Sequence, residues 1–391
     1  DMGCDCHSAV SLHCAPMPPE SPPQNRPLVV HFVTGGFSGA TQVAVDLCLS
    51  ALQGGPFEPI LALRVKRHTP LARVDALRLQ GLRVHLVSGW SHLVTIAELA
   101  ALLRDQGPVA LLAHGFPEHL IGRRAGLRAG VPVLIQVEHN SRERYTLWSR
   151  WQSRWLAKRS AAIVGVSEGV RGALLAQGLP ADKVLAIPNG IDLARFPSAP
   201  AGGREAGIVM SARFARQKDH ATLIDALALL GQRHGLRPAL HLAGQGPLMA
   251  QMRQRVARLG LDAQVSFLGQ HQDMPALLCS QALFVLATHF EGMPLALVEA
   301  MAAGCACIAS DVIGVRGVLE HERTGLLVPE ADAHRLADAI ARLLRDPALA
   351  QGLGQAARAR ALAEHGKTLM RERYDALLID AISTEHRLTR E

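Results

Sequence analysis

The chain has 391 residues, of which 49% are hydrophobic and only 4% aromatic, and its formal charge is +7. That length exceeds one ordinary core, so two domains are expected. No run of about 18 uncharged apolar residues occurs, which argues against a membrane-spanning helix. The basic balance suits a phosphorylated substrate or an anionic surface. No nucleic-acid module is legible, so nucleic acid is set aside as a partner.

Residues 1–26 read as a disordered leader. Cys4, Cys6, His7, His13 and Cys14 crowd its start, and Pro16, Pro18, Pro19, Pro22, Pro23 and Pro27 follow. The Cys/His spacing matches no standard zinc pattern, and the proline density suits an unfolded segment. The stretch has no basic region followed by an apolar run, so no secretory signal is expected. Cys48, Cys279, Cys305 and Cys307 lie in apolar segments and read as small buried residues of a reducing compartment.

From Leu28 the chain alternates short apolar runs with helical stretches. The spacing predicts strands at Leu28–Val33, Pro59–Leu63, Val84–Val87, Val109–Ala113, Val133–Val137 and Ala162–Val166. A glycine loop, Thr34 to Gly39, ends the first strand, and a helix is expected over Ala40–Leu52. Such alternation predicts a parallel sheet covered on both faces. A Pro/Ala/Gly-rich linker follows. The alternation then restarts, with strands expected at Gly207–Ser211, Ala239–Ala243, Val265–Leu268, Ala282–Leu286, Ala306–Ala309 and Leu326–Val328. The expected domains are 27–196 and 206–366, joined by a linker at 197–205. Residues 367–391 are expected to form a helix packing back on the first domain. Ligands of such sheets bind beyond the carboxyl ends of the strands, so the cleft between the two units is the expected site.

The most informative segment is Glu291-Gly-Met-Pro-Leu-Ala-Leu-Val-Glu299. Pro294 suits the first helical position, and the free amides of that first turn can hold a phosphate. A carboxylate stands on either side. That combination suits a phosphorylated, hydroxyl-rich ligand such as a nucleotide sugar. Arg213 and Lys218 follow a strand, five residues apart. Departure of a nucleoside diphosphate builds negative charge, which two fixed cations stabilise in the transition state. As surface cations at a helix start they would oppose the helix dipole. Arg216 reads as solvated. Gly244-Gln-Gly246-Pro247 is a glycine turn after a strand. His114 and His139 end successive strands and are expected to face the cleft. Gly35, Gly36 and Gly39 would let backbone approach a phosphate or an acceptor.

In their order and spacing these motifs resemble the retaining glycosyltransferases of family 4, which have the GT-B fold of two Rossmann-like α/β domains. The resemblance runs from about Val29 to Tyr374. It is carried by Gly35-Gly36, by Val164–Ser167 with Ile187–Asp192, by Ser211–Asp219, and by the Glu291/Glu299 pair with Gly304, Asp311, Gly314 and Thr324–Pro329. It implies that Arg213 and Lys218 bind the donor diphosphate and that His139 contacts the donor sugar or β-phosphate. Glu291 would approach the sugar, and Glu299 would accept from the ribose hydroxyls. Gly36, Gly244, Gly246, Gly292, Met293, Pro294 and Leu295 would line the donor site; His114, from its place at a strand's carboxyl end, is the candidate acceptor contact. No metal or other cofactor is implied, because Arg213, Lys218 and helix amides carry the charge work. Two departures stand out: Gly317 replaces a common acid, and Gln281-Ala282 replaces a common Ala-Asp.

Trp148, Trp151 and Trp155 lie on one helical face, interleaved with Arg150, Arg154, Lys158 and Arg159. That face suits either an anionic membrane surface or packing against the first domain. The expected activity is retaining transfer from a nucleotide-diphosphate sugar, a UDP-sugar foremost, to a glycan or lipid-linked acceptor of the cell envelope. The expected place is the cytoplasm, with peripheral contact at the inner face of its membrane. The alternatives are a catalytically silent sugar-binding partner, or a phosphorylase or epimerase of the same fold. A glycosidase, the other use of paired carboxylates, would not need the phosphate-directed cations and glycine turns.

Overall fold

The computed structural model describes residues 26–142, 145–197 and 204–388. The Cys/His group of the expected leader, and most of the expected linker, lie outside them. The chain forms two parallel sheets. The first contains β1 (Leu28–Thr34), β2 (Glu58–Arg64), β3 (Arg83–Val87), β4 (Ala110–His114), β5 (Val133–Glu138), β6 (Ala162–Gly165) and β7 (Val184–Ala186). The second contains β8 (Glu205–Ser211), β9 (Leu240–Ala243), β10 (Val265–Gly269), β11 (Gln281–Leu286), β12 (Ala306–Ser310) and β13 (Leu326–Val328). Helices join successive strands in both. The central strands are apolar without alternation because both faces are covered: β4 and β5 are buried along their whole length.

The strand orders are β3-β2-β1-β4-β5-β6-β7 and β10-β9-β8-β11-β12-β13. Each order reverses once, between β1 and β4 and between β8 and β11. At a reversal the two following loops diverge to opposite faces and open a crevice at the carboxyl edge. The loops after β1, β8 and β11 carry Gly36, Arg213 and Glu291, and the loop after β4 begins just past His114.

The sequence reading missed β7. It is three residues long and only its first residue is fully buried, so it has no apolar run to betray it. Pro294 is also one position out. It sits at the N-cap with extended dihedrals, and the helix begins at Leu295, a shift of the size at which helix ends are ordinarily defined.

The chain returns to the first domain at Gly366. Ile191 N donates to His365 O and Lys367 N to Ile191 O, at 2.8 and 2.9 Å. Gly190 is glycine because a Cβ there would lie 2.5 Å from Gly366 O. The helix Lys367–Leu388 then buries Met370, Tyr374 and Leu378 in one core with Val29, Leu47 and Phe57. Among the described residues no helix is long and apolar enough to cross a membrane.

Candidate active site

On the second sheet, β8 delivers the loop Ala212–Asp219. Asp219 caps the helix His220–His234 by accepting from Thr222 N. Arg213 is exposed. Lys218 is largely covered and forms an ion pair with Glu291. Thr288 Oγ1 donates to the same Glu291 oxygen at 2.8 Å. The carboxylate is buried, and its two partners fix its direction. The loops after β8 and β11 are further joined by Gln217 Nε2 donating to Phe290 O at 2.7 Å.

Gly244 and Gly246 serve this loop. Gly244 has φ +142°, and a Cβ there would lie 2.0 Å from Ala212 O; one on Gly246 would lie 2.4 Å from Phe214 O. The glycine turn therefore presses on the backbone either side of Arg213, and Phe214 N donates to Gln245 O at 3.0 Å. A cavity of about 520 Å³ opens beside Lys218, lined also by Arg216, Asp219 and His289.

Glu299 lies in the second turn of the helix Leu295–Ala303. Among the described residues it makes no hydrogen bond or ion pair. Burial pushes its carboxyl up to about 6; Arg195 opposes the rise and Asp46 adds to it. An acceptor-only group held partly dry and unpaired suits a ligand's hydroxyls. The helix start has no side-chain cap at Pro294, so its first amides remain available to an anion.

The segment Glu291–Met293 is where the two domains meet. Ser141 Oγ donates to Glu291 O, and Ser167 Oγ to Gly292 O, both at 2.7 Å. Met293 Sδ lies 3.0 Å from Asn189 N. A Cβ on Gly292 would fall 2.0 Å from His139 O, and one on Gly314 would fall 2.3 Å from Glu291 O. The glycines of this motif thus let three backbones cross at van der Waals distance, with His139 on one of them. Ser141, Ser167 and Thr288 were not singled out in the sequence. Isolated hydroxyl residues give no periodic signal, and the resemblance marked only the segment around Ser167.

On the first sheet, Gly35 is required by packing, since its Cβ would meet Arg64 O and Thr69 Oγ1 at 2.8 Å. A Cβ on Gly36 would make only an ordinary contact with Thr34 Oγ1 at 3.7 Å, and one on Gly39 would meet open space. His139 follows β5 and is half-buried, and its amide donates to Glu138 Oε1 at 3.1 Å. His114 ends β4 with no exposed surface. Its ring lies between His31 and His139, so it stands behind His139 and does not reach the cleft expected for an acceptor contact. Burial lowers His31 to about 4 and His139 to about 3, and lowers His114 well below the usual range. All three are neutral at ordinary pH.

A second buried chain supports Glu138. Arg123 Nη2 donates to His119 Nδ1 at 2.8 Å, His119 Nε2 lies 2.6 Å from Tyr145 Oη, and Tyr145 Oη donates to Glu138 Oε2 at 3.0 Å. Arg123 is fully buried, and desolvation brings it down to about 10. Gln281, one of the family departures, is buried at the amino end of β11 and donates to Glu205 at 2.9 Å. It is at the opposite end of the sheet from the cleft.

The packing alternative for the tryptophans is overturned. Trp148, Trp151 and Trp155 are 63%, 55% and 39% exposed. The helix Leu147–Ala157 buries Ser149, Gln152, Ser153 and Leu156 instead.

Two doubly wound sheets, each presenting its switch point to a shared cleft with cations and carboxylates on one wall, define a GT-B-type architecture. The family model described as Glycosyltransferase Family 4 matches residues 30–195, and that described as Glycosyl transferases group 1 matches 195–360. The chain belongs to glycosyltransferase family 4. It is 33% identical to EpsF of Bacillus subtilis over 236 residues, 54% of this chain and 60% of that protein. It is 25% identical over 276 residues to the UDP-Gal:alpha-D-GlcNAc-diphosphoundecaprenol alpha-1,3-galactosyltransferase of Escherichia coli, 65% of this chain and 71% of that one. The chain thus spans under two thirds of EpsF's length. The fold superposes on Anabaena Alr3699/HepE in complex with UDP-glucose with a TM-score of 0.79, at 19% identity, covering 92% of this chain and all of that one.

Proposed function

We propose that the protein transfers a glycosyl group from a UDP-sugar to a glycan or lipid-linked acceptor in cell-envelope polysaccharide or lipopolysaccharide synthesis, with retention of configuration. The observation that carries this reading is the Lys218–Glu291 pair at the foot of an uncapped helix, with Glu299 unpaired one helical segment further on. Arg213 and Lys218 take the charge that develops on the departing diphosphate, an effect worth about 2.7–4 kcal/mol per donor in comparable oxyanion sites. In that state Lys218 exchanges its carboxylate partner for phosphate, which leaves Glu291 directed at the sugar by Thr288. His139 borders the donor from the first domain. Glu299 accepts from the ribose. The complex of Alr3699/HepE with UDP-glucose, and the UDP-Gal and diphosphoundecaprenol in the galactosyltransferase's name, support a UDP-sugar donor and a lipid-linked acceptor here. The exposed tryptophan face, flanked by arginines and lysine, supports peripheral contact with an anionic membrane that carries such an acceptor.

The test is a thermal-shift screen against UDP, GDP, ADP and their sugars. A ligand at about a hundred times its Kd stabilises by about 2.7 kcal/mol. UDP and UDP-sugars are expected to raise the melting temperature, and the others to leave it unchanged. Preference for GDP or ADP, or no response to any nucleotide, overturns the donor assignment. The anomeric configuration of the product, read by NMR, tests retention.

A further inference from the structure

Three imidazoles run in line through the first sheet. His31 Nδ1 lies 3.1 Å from His114 Nε2, and His114 Nδ1 lies 3.2 Å from His139 Nε2. The ring planes differ by 24° and 29°, and the centroids are 5.3 and 5.4 Å apart. Those separations exceed the nitrogen distances by about two ring radii. The rings therefore meet edge to edge along their nitrogens, not face to face.

Each neutral imidazole has one N–H and one lone pair. Only two arrangements satisfy both contacts. In the first, all three protons are on Nδ1: His31 donates to His114, His114 donates to His139, and His139 keeps an N–H on Nδ1. In the second, all are on Nε2: the donation runs the other way, and His139 Nδ1 is a bare lone pair. The tautomer of His139 is thus coupled to the state of His31, two rings away.

The far end favours the first arrangement. His31 lines a small cavity of about 20 Å³ beneath the helix Lys367–Leu388, with Arg371, Tyr374 and Asp375. That volume suits a single water. Asp375, the cavity's carboxylate, is engaged by Arg371. Tyr374 Oη is buried with no hydrogen-bond partner, so its O–H is a donor in need of an acceptor. The two are not in direct hydrogen-bond contact, and a lone pair on His31 Nε2 supplies one through a water in the cavity that both residues line.

We infer that His31 and His114 are positioning residues: from the Tyr374 cavity they hold His139 in its Nδ1–H tautomer, so that it offers the cleft a neutral hydrogen-bond donor for a sugar or diphosphate oxygen. The inference rests on the transferase reading for the identity of that oxygen, but not for the tautomer.

The test uses the full chain labelled with ¹⁵N-histidine, with and without UDP. The ring-nitrogen shifts of His139 are expected to be those of the Nδ1–H form. His31→Leu removes the first link and is expected to mix the tautomers. It should lower kcat about tenfold while the donor KM moves less than about twofold; His31→Asn, whose amide replaces Nδ1, should return kcat to within about threefold. Tyr374→Phe removes only the hydroxyl and should raise the Nε2–H population of His139 without unfolding the chain. A wild-type His139 in the Nε2–H form overturns the inference, as does a tautomer unmoved in both His31→Leu and Tyr374→Phe. If His31→Leu fails to fold, the wild-type and Tyr374→Phe spectra decide. Absence of turnover with every nucleotide sugar counts against the transferase reading and not against the tautomer, which the spectra read without turnover.

Discussion

The two carboxyl edges that face each other across the cleft solve different problems with the same fold. The edge of the second sheet is charged: Arg213, Lys218, Glu291 and Glu299 come from two loops and one helix. The edge of the first sheet carries three neutral imidazoles in line, and beside them the buried Arg123 is joined through His119 and Tyr145 to Glu138. Charge suits a group that must follow the changing charge of a leaving diphosphate. Fixed neutral dipoles suit orientation, because they need no counter-charge and little desolvation. Doubling a fold thus doubles the position of the crevice, not its electrostatics.

The sharpest way to break the contrast is at the charged edge. Lys218→Ala and Arg213→Ala should each lower kcat about a hundredfold or more. Their stabilities should differ. Lys218→Ala leaves the buried Glu291 with Thr288 alone, so its melting temperature falls, whereas the exposed Arg213 is removed without a thermal cost. Steady-state rates and melting curves of both variants check this, and near-normal rates in both would refute the assignment. Because the cations are already in place, turnover is expected to persist in excess EDTA; complete loss restored by Mg²⁺ or Mn²⁺ would contradict it.

Next in size is the seam between the edges. Gly292→Ala puts a Cβ 2.0 Å from His139 O, so the loop and the histidine must separate. Overpacking of this kind costs about 1–3 kcal/mol. Both kcat and the melting temperature should fall. Gly36→Ala, where the nearest neighbouring atom is 3.7 Å away, should leave the melting temperature unchanged. Equal melting temperatures for the two variants would show that the seam is not as tight as drawn.

The contrast also explains what the sequence could and could not reveal. The charged edge is legible because its residues sit in short contiguous motifs whose spacing survives in one dimension. All strands but β7 were legible as apolar runs. The neutral edge was legible only at its ends: His114 and His139 were noticed, His31 was not. A histidine in the middle of an apolar strand looks like a core residue, and its partner is 83 residues away. In one dimension a strand end reads as a cleft position, which makes His114 an acceptor candidate; in the fold its ring is fully buried between those of His31 and His139.

A subtler probe of the charged edge is acid. Glu299 titrates near 6, and its use as an acceptor of ribose hydroxyls requires the ionised form. Affinity for a UDP-sugar should therefore weaken about tenfold between pH 7 and pH 5, and Glu299→Gln should bind more weakly but without that slope. Stability has contributions of both signs. Burial raises Glu299 from 4.5 and Asp46 from 3.8, each to about 6. Those two carboxyls bind more protons folded than unfolded across that window, but burial lowers His31, His114, His119, His139 and His365 from 6.5, so these five bind fewer. They outnumber the carboxyls, and the unliganded protein is expected to gain stability as pH rises through it. Calorimetric binding and melting curves over pH 4.5–8 check both signs, and a flat binding profile would remove Glu299 from the ribose site.

The smallest expected effect on the folded chain is at the tryptophan face, outside both edges. Trp148 and Trp151 stack at 5.0 Å with their planes 15° apart, and Arg159 lies 3.9 Å over Trp155. Arg154 is fastened to Gln177 O at 2.9 Å, so Arg150 and Lys158 are the exposed cations that remain to meet lipid phosphate. Truncating a core ring costs about 3–5 kcal/mol. These rings are exposed, so Trp148→Ala with Trp151→Ala should move the melting temperature little. Adding Trp155→Ala should cost slightly more, since an exposed cation–π contact is worth about 0.5–1 kcal/mol. Activity on a soluble acceptor analogue should hold in the triple variant, because the three rings are exposed and none lines the cavity beside Lys218. Sedimentation with anionic vesicles should fall in the double variant and fall again when Arg150 and Lys158 are replaced by Gln. Native protein that fails to sediment with anionic vesicles at low salt would end the membrane proposal, whatever the variants do.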